Sequence, residues 1–127
     1  MKYRTHLTLA LGLAHALLAP AHAQTDAGLQ AISDLAQVNG QALACQELKV
    51  AGRIKSMMLA HAPKTARFGS AFEEGTQQSY LAQTRSTAAC PDTAKLTAQL
   101  DALAPRLQTS LPIQAAEATP GTPSQKP

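Results

Sequence analysis

The chain has 127 residues, 45% hydrophobic but 3% aromatic, and a formal charge of +3 from 11 Lys and Arg against 8 Asp and Glu. That length allows one domain. Two of the surplus positive charges are Lys2 and Arg4 at the N-terminus, so the remainder is near neutral, which excludes the dense basic surface of a nucleic-acid-binding protein.

In chain order, the first element is an address. Lys2 and Arg4, the apolar stretch Leu7 to Leu18, and Ala21-His22-Ala23 compose a secretory signal peptide over residues 1–23, cut after Ala23. Its apolar stretch is too short for a permanent span and no second long apolar run follows, so no integral membrane segment is expected after signal cleavage. The expected location is periplasmic or secreted. Cleavage would also remove His6, His15, His22 and Tyr3, leaving His61 and three aromatics, Phe68, Phe72 and Tyr80.

From Asp26, a candidate N-cap, the residues Leu29, Ile32, Leu35, Val38 and Leu43 recur at helical intervals. Asn39-Gly40 interrupts this helix as a weak point and not as a reversal. A second stripe, Val50, Ile54, Met57 and Met58, ends before Pro63. Thr65 to Gln83 reads as a third helix, and Ser70-Ala71-Phe72-Glu73 offers a capping box that would start it later. Arg85 to Ala89 reads as a linker. In the last helix Pro91 suits the first position, Asp92 the positive end, and Leu96, Leu100, Leu103, Leu107 and Leu111 form a leucine stripe that Pro105 should kink or split. Residues 112–127, with four prolines, read as a disordered Pro/Thr/Ala-rich tail.

Cys45 and Cys90 in an exported chain predict one disulfide, tying the end of the first helix to the start of the last. The expected fold is all-α: a small bundle of three to five helices over residues 24–111, with a thin core that leaves room for a homodimer to cover remaining apolar surface.

Candidate chemistry is sparse. Lys49, Arg53, Lys55, Lys64 and Arg67 stand with no acid between Glu47 and Glu73, a block suited to an acidic protein or an anionic envelope component. The favoured reading of the block itself is a solvated face balanced by Asp26, Asp34 and Glu47, since blocks of this density are common on soluble helices. Met57, Met58 and His61 are soft donors at helical spacing, but methionines on such a stripe fill cores, and no metal or other cofactor is assigned. Glu73 and Glu74 point about 100° apart on a helix and cannot share a substrate atom. No Gly-x-Ser-x-Gly, phosphate-binding glycine loop or His-Glu-x-x-His occurs. The reading is a protein that binds and does not catalyse; the alternative is a carrier of a small apolar ligand between Phe68, Phe72 and Tyr80.

In layout, a long-loop Cys45–Cys90 pair and a helix opening with Cys90-Pro91, the chain resembles small periplasmic helical proteins such as acid-stress chaperones of the HdeA type and immunity proteins for secreted effectors. It departs from the former in having few carboxylates to drive an acid switch. No functional residue carries over from either.

Overall fold

The computed structural model describes residues 20–113, which form four α-helices and, among the described residues, no strand. Helix α1 (Pro20–Ala44) is the spine, and α2 (Leu48–His61), α3 (Ala66–Arg85) and α4 (Thr93–Ser110) all pack on it. The chain runs up, down, up, down. Gly28 meets Leu111 at one end of α1, while Cys45 meets Cys90 at the other, which makes α4 antiparallel to α1. Glu47–Thr93, Arg53–Asp101 and His61–Leu111 contacts in ascending order make α2 parallel to α4.

The core lies between α1, α2 and α4. Ile32, Leu35, Ile54, Leu96, Leu100 and Leu107 are fully buried there, each contributing roughly 2 kcal/mol of transfer free energy. Val38, Val50, Leu103 and Leu111 complete it, and Leu29, Met57 and Met58 pack against it. The stripes read from helical spacing are therefore the core faces, except at Leu43, which is 38% exposed one residue past the last buried position, Ala42.

Helix α3 is held differently. Its backbone approaches α1 alone, and only Phe68 is buried along its length. The two helices lie parallel and close: a Cβ on Gly40 would stand 2.5 Å from the Thr76 carbonyl oxygen, and one on Gly75 2.9 Å from Ala36 Cβ. Ser79 Oγ donates to the Gln37 carbonyl oxygen at 2.6 Å, and the buried Asn39 donates from Nδ2 to Thr76 Oγ1 at 3.1 Å. Gly40 is thus the point of closest approach inside an unbroken α1, where glycine's lack of a side chain is required.

Several expected helix ends shift. Asp26 does not cap α1, which starts at Pro20, a residue whose fixed φ suits the first helical position. Asp26 instead lies exposed on α1 facing Arg67 at 3.5 Å. Ser70–Glu73 is no capping box, because α3 begins at Ala66 with the extended Thr65 before it. Pro91 stands ahead of α4: Asp92 takes the N-cap, its Oδ1 accepting from Lys95 N–H at 2.8 Å, a role its carboxylate fills better than the first turn. Pro105 does not split α4, which runs through it with the proline ring exposed.

Between α1 and α2 the helix ends in a Schellman turn. Glu47 N–H donates to Ala42 O and Gln46 N–H to Leu43 O, with Gln46 in the left-handed region at φ 61°. The turn delivers Cys45 to Cys90, and the disulfide joins them across 5.6 Å between Cα atoms. The expected signal peptide lies outside the described residues up to Ala19, and Ala21–Ala23 belongs to the first turn of α1. Processing there would leave intact everything from Gly28, the first buried position among the residues whose burial is described. Apart from Pro112 and Ile113, the expected tail also lies outside the described residues. Among the described residues no helix is long and apolar enough to cross a membrane.

Gly52, in contrast to Gly40, has open space where a side chain would go, with no atom within 4 Å of the position a Cβ would take. Gly52→Ala is expected to raise stability by about 0.5–1 kcal/mol, the ordinary helix-propensity gain, seen as a higher melting temperature.

Candidate functional site

Among the described residues, helix α2 carries the two most exposed large hydrophobic side chains. Its inner face, Val50, Ala51 and Ile54, is buried. Leu48, Gly52, Lys55 and Leu59, spaced four, three and four, share the outward side. Leu48 is 70% and Leu59 67% exposed. The stripe runs about 16 Å at 1.5 Å per residue, with Lys49 and Ser56 exposed beside it.

The five cations expected to form one basic surface divide in two. Arg53 Nη2 pairs with Asp101 Oδ1 at 2.7 Å, and Arg67 Nη2 faces Asp26 Oδ1 at 3.5 Å. These pairs are exposed and each adds little stability, but they commit both guanidinium groups within the fold. Lys49, Lys55 and Lys64 are exposed and form no ion pair among the described residues. The acids expected to balance the block do so only in part. Asp26 faces Arg67, Asp34 pairs with Arg106 at 2.7 Å, and Glu47 accepts from Thr93 Oγ1. What remains is a lysine surface along α2 and its corner with α3, interleaved with two leucines. Leu48 and Leu59 escape a search for core stripes, although their spacing opposite Val50 and Ile54 marks them.

The aromatic trio is spread out. Phe68 is part of the core, Phe72 packs against it from the flank, and Tyr80 is 42% exposed two turns further along α3. The clefts along the α1–α4 seam and at the α2–α3 corner are lined by other residues. Glu73 and Glu74 are exposed on α3. Met57 and Met58 pack on the core, and His61 Nδ1 lies 2.7 Å from the Leu111 carbonyl oxygen, a contact that fastens the end of α2 to the end of α4. Among the described residues no three His, Cys, Asp or Glu side chains converge as a metal site.

Two clefts meet at the corner between α2 and α3. The larger, about 410 Å³, is lined by Leu59, His61, Pro63, Lys64 and Pro112 among others, and the smaller, about 190 Å³, by Met58, Leu59, Pro63, Lys64, Thr65 and Gly69 among others. A separate open groove follows the seam of α1 and α4 past Gln37, Gln41, Gln99 and the Asp34–Arg106 pair.

Comparison of this chain with protein-family models, with curated proteins and with solved structures finds no match.

Proposed function

We propose that the chain is an exported, non-enzymatic helical protein that acts by binding an acidic protein partner along the outward face of α2. The observation that carries this reading is the combination of Leu48 and Leu59, each more than two-thirds exposed, with lysines that have no counter-charge among the described residues. Apolar side chains set among uncompensated like charges suit a surface that loses water and gains opposite charge on association. Export is supported by the Cys45–Cys90 disulfide, which persists in oxidising compartments such as the periplasm.

The test is capture of partners from an envelope extract at low and high salt by the oxidised protein and by Lys55→Glu and Leu59→Ser variants. One partner whose recovery falls with salt, and whose affinity drops about tenfold for Lys55→Glu, supports the reading. Capture that ignores salt and both substitutions overturns it. Arg53 is unsuitable for this test, because reversing it also breaks the Asp101 pair.

A further inference from the structure

The double cleft at the α2–α3 corner shares Leu59 and the corner lysine, Lys64, with the surface described above, but it is concave and adds His61 and Pro63 to them. Its smaller half is walled almost entirely by apolar surface and its larger half by polar and apolar surface in about equal parts: Leu59, Ala62 and Pro63 are common to both, Met58 and Gly69 line the smaller, and Pro112 lines the larger. Lys64 lines both halves and forms no ion pair among the described residues, and no carboxylate lines either half. The α2 carbonyl end and the α3 amide end both open here, so the backbone dipoles oppose each other and the lysine sets the sign of the field.

His61 adds direction. A carbonyl oxygen only accepts, so the 2.7 Å contact with Leu111 O requires Nδ1 to carry the proton and donate. That hydrogen bond fixes the ring and leaves Nε2 as the nitrogen it does not engage, on a residue that lines the larger half of the cleft. The site therefore offers one cation and one oriented imidazole in a half of about 410 Å³, within the size range of small-molecule pockets, with a smaller apolar half of about 190 Å³ beside it.

We infer that this cleft binds a small amphiphilic monocarboxylate, its carboxylate on Lys64 and its aliphatic body along Leu59, Pro63 and Pro112. The inference goes beyond the protein-binding reading and needs no protein partner, so either can fail without the other.

Sodium octanoate and octan-1-ol are the probes, titrated into the full oxidised chain and followed by amide NMR. Octanoate is expected to give saturable shifts confined to Leu59–Lys64, Thr65 and Gly69, with octan-1-ol about tenfold weaker. Lys64→Ala should bring octanoate affinity down to that of the alcohol with the melting temperature unchanged, since Lys64 is exposed and forms no ion pair among the described residues. Lys49→Ala, at the opposite end of α2, should leave the affinity as it is. Equal affinities for acid and alcohol, shifts scattered over the core, or no saturable shift at millimolar octanoate would overturn the inference.

Discussion

Gly40→Ala is expected to destabilise the protein by roughly 2–3 kcal/mol and to do so by lifting α3 off α1. The added methyl would lie 2.5 Å from the Thr76 carbonyl oxygen, 2.6 Å from Ser79 Cβ and 2.6 Å from the Tyr80 nitrogen. Two of those atoms are backbone, so no rotamer change relieves the clash; one helix must retreat. Retreat lengthens the Asn39–Thr76 and Ser79–Gln37 hydrogen bonds, leaving the buried Asn39 amide without its partner. An unsatisfied buried polar group costs about 1–3 kcal/mol, which outweighs the gain of up to about 1 kcal/mol from replacing a helical glycine. Thermal denaturation followed by circular dichroism checks the result: a fall of about 10 °C or more for Gly40→Ala, a smaller fall for Gly75→Ala, and a rise for Gly52→Ala. Gly40→Ala melting with the unaltered protein would remove the close contact as the anchor of α3.

That ordering of the glycines shows where sequence reading reaches its physical limit. Ile32, Leu35, Ile54 and the α4 leucines are legible because a buried helix face imposes its own 3.6-residue period on the residues that line it. The disulfide is legible because two cysteines behind an expected signal peptide have one simple use. Gly40 and Gly75, however, look like equal weaknesses until they are known to face another helix, and that fact belongs to packing between segments about 35 residues apart. The division of the basic block has the same origin. Arg53 finds Asp101 and Arg67 finds Asp26 only after α4 and α1 are in place, whereas Lys49, Lys55 and Lys64 find no acid among the described residues. At the helix ends local signals compete, and the stronger one wins. Ser70–Glu73 matches a capping box by spacing, yet Pro63 breaks the chain earlier and Thr65 is already extended, so α3 begins ahead of it. The α2–α3 corner is the least legible part, since its cleft assembles Leu59, Lys64 and Pro112 from segments that periodicity treats as unrelated.

Removing the disulfide, by reduction or as Cys45→Ser with Cys90→Ser, should have the larger effect, a loss of about 4 kcal/mol from releasing a loop of 45 residues in the unfolded chain. A small domain holds about 5–15 kcal/mol in total, so this is about a quarter of its stability or more. The melting temperature should fall by some ~15–30 °C. Cys90 is exposed, so reductant reaches the bond in the folded state. Equal melting temperatures with and without reductant would rule out the bond as a staple. The two losses also differ in kind. The disulfide joins α1 to α4, two of the three helices that build the core, so its loss raises the population of the globally unfolded state. Hydrogen exchange should then quicken at the core amides of α1, α2 and α4 together. Gly40→Ala acts on the one interface that α3 makes, and exchange should quicken first along Ala66–Arg85 while the other three helices remain protected. A reduced protein that loses protection in α3 alone would place the mechanical weak point in the α1–α3 contact and not in the covalent link.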